Sequence, residues 1–246
     1  MKTIFKTILA LLLVVGLFFA NAFFGNPISR LIVSYVADKY IEETYAQRDF
    51  ERGKIFYNFK DASYNILLQD KKSQDTKFEI AFDSLGRFHH DDYPYILFNT
   101  WRRFSQALDQ YGKELAEKNS KSYKIFLTID DEMDLETLRL DQEVDLANFP
   151  LQVSAGLETF VEKPSFSQTL DFLKDLDELM STTPLKVKNY SIILIPEKDR
   201  AEDGQAQSLA NAISIFDIGV DTVKKGSAKD LEALKNTQGE LKKDVK

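Results

Sequence analysis

The chain has 246 residues, a formal charge of −7, 43% hydrophobic and 29% charged residues, and no cysteine. These proportions exclude a disordered chain, and the missing thiol excludes disulfides, thiolate metal sites, a cysteine nucleophile and a cysteine-linked lipid anchor. Setting aside Lys2 and Lys6 in the first stretch moves the charge from −7 to −9, a balance that argues against a nucleic-acid partner.

Those two lysines precede an uncharged run from Thr7 to Gly25 that includes Ile8-Leu9-Ala10-Leu11-Leu12-Leu13-Val14-Val15 and Phe18-Phe19. At 1.5 Å per residue the run reaches about 28 Å, close to the hydrocarbon thickness of a bilayer. Lysines before an apolar span keep the N-terminus in the cytoplasm. Residues 1–25 therefore read as a transmembrane signal-anchor, touching membrane lipid through residues 7–25, with the rest of the chain outside the cytoplasm. Ala20-Asn21-Ala22 also offers a signal-peptide cut after Ala22, but Phe18, Phe19, Phe23 and Phe24 crowd that site, and the uncleaved form is favoured.

Gly25-Asn26-Pro27 ends the span and opens a helix, with Asn26 as N-cap and Pro27 in the first turn. Ile28, Leu31, Ile32, Tyr35 and Val36 recur at helical spacing and predict its buried face. Three alternating segments come next: Ile55, Tyr57 and Phe59; Tyr64, Ile66 and Leu68; Phe78, Ile80 and Phe82. Asp83-Ser84-Leu85-Gly86 turns the chain into a short edge, Arg87 to His90. Residues 26–93 thus read as one α-β-β-β domain, a helix over a three- to four-stranded antiparallel sheet.

A second α+β domain, a two-layer α/β sandwich, is expected over residues 94–224. Pro94 opens its long helix, striped by Leu97, Trp101, Phe104, Leu108, Tyr111 and Leu115. Tyr123 to Ile129 and Leu151 to Val161 read as strands around an acidic, irregular stretch from Asp130 to Asn148. Ser165 with Gln168 forms a capping box for a further helix. Val187 to Ile195 is apolar on both faces at Ile192-Ile193-Leu194-Ile195, which predicts a central strand; Ile213 to Ile218 is the last one. Residues 225–246, a helix capped by Ser227 with few leucines and many lysines, are expected to be exposed and frayed.

Phe24-Gly25-Asn26-Pro27-Ile28-Ser29, Phe56-Tyr57-Asn58-Phe59-Lys60-Asp61 and Asp91-Asp92-Tyr93 resemble the YfjL-like proteins of Gram-positive bacteria, strongest over residues 24–104. The helix-plus-strands unit, ending in Phe82-Asp83-Ser84-Leu85-Gly86-Arg87-Phe88, also looks like the PepSY module. That likeness implies an envelope location and an association with protease propeptides or envelope regulation. Where the YfjL-like pattern has an aliphatic or aromatic residue, this chain has His89-His90, which argues against a family-wide role for them. The resemblance implies a topology and no reaction.

The only two histidines lie in His89-His90-Asp91-Asp92, a set of side chains able to ligate a divalent ion. In a regular strand, His89 would share a face with Asp91 and His90 with Asp92, so each face would hold two ligands and the residues read as a solvated turn. No Gly-x-Ser-x-Gly elbow supplies a serine nucleophile, and no Gly-x-Gly-x-x-Gly or Walker loop binds phosphate. Asp130 to Glu136 is acidic enough to attract calcium but lacks the mid-loop glycine of an EF-hand, and Glu197 to Asp203 is a similar polar loop. Trp101 sits on the apolar stripe, with Arg102 and Arg103 solvated beside it.

The sequence therefore predicts a membrane-anchored, extracytoplasmic, non-catalytic binding or regulatory module with no cofactor. Its partner would be an envelope protein or peptide, received by strand addition at the edge near residues 87–91. The alternatives are a cell-envelope hydrolase using a metal at His89, His90, Asp91 and Asp92 or a carboxylate pair, and a spacer that docks a membrane partner through the span.

Overall fold

A computed structural model describes residues 2–130 and 137–244, so most of the acidic run that could attract calcium lies outside the described residues. Helix α1, Lys2–Phe24, is uncharged beyond Lys6 and long and apolar enough to cross a membrane. It stops at Gly25, whose φ of +73° is open to glycine alone at little cost. The Gly25 amide still donates to the Asn21 carbonyl at 3.0 Å. A Cβ at residue 25 would lie 2.7 Å from the Tyr57 ring and 2.9 Å from the Tyr64 hydroxyl. Helix α2, Pro27–Tyr45, starts at once, with the Asn26 side chain accepting from the Ile28 amide at 2.8 Å as the cap requires.

The chain divides into two compact units. In the first, α2 lies on an antiparallel sheet of β1 (Phe50–Asn58), β2 (Ser63–Asp70), β3 (Lys77–Phe82) and β4 (Phe88–Asp91), paired in sequence order. Tyr64, Ile66, Leu68, Phe78, Ile80 and Phe82 point into its core, as their alternation predicts. The helix, however, buries a different face from the one its spacing predicts. Ser29, Val33 and Ala37 meet the sheet, while Ile28, Leu31 and Tyr35 remain 66%, 73% and 73% exposed. The aromatic rings of the sheet fill the space between the layers, so the helix approaches through its small residues. Phe59, expected to face inward with Ile55 and Tyr57, lies beyond the end of β1 in an exposed turn.

The first unit runs to Thr100 and takes in Arg139–Asp141, so the division falls seven residues beyond Tyr93. Buried Asp75 explains why. Its carboxylate accepts from the Thr100 hydroxyl at 2.5 Å and the Asp141 amide at 3.2 Å, and its own amide donates to Asp141 at 2.9 Å. The Asn99 side chain donates to the backbone carbonyls of Asp75 and Lys77 at 2.8 and 2.7 Å. These bonds hold the first turn of α3, Leu97–Lys118, in the first unit.

The second unit holds the rest of α3 and a sheet of β5 (Lys124–Ile129), β6 (Val153–Val161), β7 (Val187–Pro196) and β8 (Ile213–Gly219), in that order. Strands β6 and β7 are parallel, and α4, Phe166–Ser181, makes the crossover that parallel pairing demands. Strand β7 is internal, in keeping with its apolar residues on both faces. Ser165 caps α4 by accepting from the Gln168 amide at 3.3 Å. Ile125, Leu127, Ala155, Leu157, Tyr190, Ile192 and Ile215 form the buried face. On α3, Phe104, Leu108 and Leu115 are buried, while Trp101 is only half-buried.

The tail is more tightly held than its composition predicts. After α5, Val220–Lys225, helix α6, Ala228–Asp244, buries Leu231 completely. The Gln238 side chain accepts from the Phe216 amide at 3.2 Å and donates to its carbonyl at 2.6 Å. Lys235 donates to the Ala212 carbonyl at 3.3 Å. A few well-placed side chains secure a helix whose sparse leucines would not.

Replacing Gly25 by alanine imposes both a left-handed backbone and a clash with Tyr57 and Tyr64. Equilibrium denaturation of the detergent-solubilised chain is expected to show a loss of about 1–3 kcal/mol.

Candidate functional site

Three regions gather polar or accessible apolar side chains, and they differ in whether their groups already have partners. The first is the histidine pair. Register shifts between β3 and β4, so that Phe82 pairs with Phe88 and Ala81 with His90, leaving His89 as the extra residue of a bulge. The bulge overrides the simple alternation that puts His89 with Asp91. It instead brings the two imidazoles together, Nδ1 to Nδ1 at 2.9 Å.

Asp91 turns the other way. It accepts from the Tyr40 and Tyr45 hydroxyls at 2.8 and 2.6 Å and from the Tyr93 amide at 2.8 Å. Tyr40 is pushed up to about 12, by burial first and then by Asp91, and Tyr45 is raised for the same two reasons. Asp92 is sensed by Glu79, whose carboxyl is raised chiefly by burial and then by that neighbour. Among the described residues no three histidine or carboxylate side chains converge as a metal site would need. No pattern in the sequence marks the phenol–carboxylate knot, because Asp91 is far in the chain from Tyr40 and Tyr45 and only the fold brings it to them.

The second region is a hollow of ≈ 600 Å³ lined by Lys121, Tyr123, Phe172 and Asp175 among others. Asp175 accepts from Lys121 at 2.6 and 2.7 Å and from the Tyr123 hydroxyl at 2.5 Å. Burial pushes the Asp175 carboxyl up, but the bonds from Lys121 and Tyr123 outweigh it and hold it below the usual carboxylate range. A lysine, a carboxylate and a phenol that satisfy one another leave little charge to offer a ligand.

The third region is the outer face of the second sheet. Alternation in β6 sends Val153, Ala155 and Leu157 inward and Ser154, Gly156 and Glu158 outward. Gly156 and Ser191 lie side by side on paired strands, and their small size sinks a groove of ≈ 420 Å³ into that face. Phe126 and Phe216 wall it, each 39% exposed, with Ile193 on its floor. At one end Asp130 accepts from Ser154 at 2.6 Å, Asn189 at 2.7 Å and Lys188 at 2.6 Å. The groove is thus apolar in the middle and polar at its rim, the usual composition of a recognition site. The small outward residues of β6 and β7 are its signal in the sequence.

The chain is therefore an α+β protein with an apolar N-terminal helix long enough to span a membrane, followed by two sheet-bearing units. Residues 1–92 match the YfjL-like N-terminal domain. No curated protein and no solved structure matches the chain.

The raised Tyr40 has a pH consequence. Its phenol holds a proton more tightly when folded than when unfolded, so its contribution to stability is complete below pH 10 and is lost as the pH rises through about 12. Asp91→Asn removes one cause of the shift. Alkaline unfolding, followed with tyrosinate absorbance, is expected to begin at lower pH in that variant than in the wild type.

Proposed function

We propose that the chain is a membrane-anchored, non-catalytic binding module whose second unit recognises an apolar segment of an envelope protein or peptide outside the cytoplasm. The observation that carries this reading is the groove between Phe126 and Phe216, an apolar hollow in a face whose neighbouring carboxylate Asp130 is already satisfied. Its volume suits one or two large side chains. The edge near residues 87–91 is a poorer acceptor for an added strand, since β4 has four residues and a bulge. A helix over a small antiparallel sheet is also what carries the likeness to PepSY modules, whose association with envelope regulation points the same way.

Gly156→Val puts a branched side chain into the groove, and the nearest atom to its Cβ would be 3.6 Å away. Recovery of co-purifying envelope proteins from detergent extracts is expected to fall at least roughly tenfold in Gly156→Val and Phe126→Asp, the equivalent of about 1.4 kcal/mol. Charge reversal at Arg87 should leave recovery unchanged. The opposite pattern would move the binding surface to β4.

The location outside the cytoplasm is inferred from the cations Lys2 and Lys6 before the apolar helix. A reporter active only outside the cytoplasm, fused after Lys246, should be active, and one active only inside should be silent. The reverse would invert the topology and remove the envelope partner.

A further inference from the structure

The face that α2 withholds from the core is continuous with the apolar helix before it. Ile28, Leu31, Ile32 and Tyr35 form a stripe at helical spacing that points away from the sheet. Only Gly25 and Asn26 separate this helix from α1. The junction is pinned to the first unit at several points. The Asn26 amide donates to the Tyr64 hydroxyl at 2.6 Å, the Arg30 guanidinium donates to the Phe24 carbonyl at 2.9 Å, and the Phe23 ring packs 5.8 Å from that of Phe59.

The sheet adds to the same end. In an antiparallel meander the turns β1–β2 and β3–β4 share one end, and these turns carry Phe59, 55% exposed, and Leu85, 64% exposed. A Cβ on Gly86 would meet Ile32 at 3.1 Å and Val36 at 3.0 Å, so the Leu85 turn lies against the stripe of α2. After Tyr35 the outward face turns polar, while Val36, Tyr40 and Ile41 pack against the core. One turn further on, Lys39 and Glu43 form an exposed ion pair at 3.6 Å. A lipid boundary would produce this change of character.

We propose that this end of the first unit rests on the bilayer, with Ile28, Leu31, Ile32, Tyr35, Phe59 and Leu85 seated where headgroups meet acyl chains. The proposal rests on α1 being a membrane span. A unit fixed within two residues of the point where that helix leaves the hydrocarbon has its adjoining surface among headgroups, where exposed aliphatic and aromatic side chains are stabilised. Tyrosine at the far end of the stripe suits that depth, its ring in the apolar zone and its hydroxyl towards water. The sheet and the span then meet the membrane as one body, with lipid under the end of the sheet.

The absence of cysteine makes the test direct. Single variants Leu31→Cys, Tyr35→Cys and Leu85→Cys of the full chain are labelled with a nitroxide and placed in phosphatidylcholine–phosphatidylglycerol vesicles. Leu12→Cys marks the span, and Lys71→Cys marks the opposite end of the sheet. Collision with oxygen relative to a water-soluble nickel chelate is expected to be several-fold higher at 31, 35 and 85 than at 71. Nickel access at 31, 35 and 85 equal to that at 71 would overturn the proposal, leaving the face in water. Shielding from both reagents would also overturn it, showing that a second copy or another protein covers the face. Nickel access at Leu12 as well would remove the span itself, a failure distinct from that of the resting surface alone.

Discussion

The structure depends on a fixed elbow between two helices. Gly25 takes a backbone conformation that other residues enter at a cost, and the space beside it is occupied by Tyr57 and Tyr64. The turn is also hydrogen-bonded, through the Asn26 amide to Tyr64, and Tyr64 belongs to the core. The apolar helix and the first sheet are therefore joined through packing as well as through sequence. A flexible tether would let the sheet drift from the apolar helix, whereas this elbow keeps α2 beginning where α1 stops.

The carboxylates of the three regions obey one rule. Asp91, Asp175 and Asp130 each sit among donors from distant parts of their own unit: two tyrosines for the first, a lysine and a tyrosine for the second, and a serine, an asparagine and a lysine for the third. Carboxylates this well supplied serve as rivets between elements. Asp75 does the same where α3 leaves the first unit. Two accessible surfaces are instead apolar: the groove of the second sheet and the outward stripe of α2. This contrast supports the proposed recognition of apolar groups.

The order of elements was legible in the sequence because alternation and helical spacing are strong in this chain, and the Asn26 and Ser165 caps are plain. The inward residues of β2 and β3 are set directly by period two. Helix α2 misled for a physical reason: two adjacent faces are both compatible with burial, and the larger side chains lie on the face that the sheet does not use. Periodicity weighs size and hydrophobicity, while the packing of aromatic rings selected Ser29, Val33 and Ala37. The histidines misled because one extra residue in β4 reverses the facing of the residues after it, and a bulge leaves little mark in a single sequence. The groove was hidden for the opposite reason, since it arises from what Gly156 and Ser191 lack.

Gln238 imitates a peptide group. Its carboxamide takes the amide and the carbonyl of Phe216 together, so the outermost strand of the second sheet meets a side chain at the point where it would otherwise accept a neighbour. A single residue of the tail thus occupies both backbone groups of Phe216 on β8. Trimming the chain ahead of α6 would remove that carboxamide from β8, together with the buried Leu231.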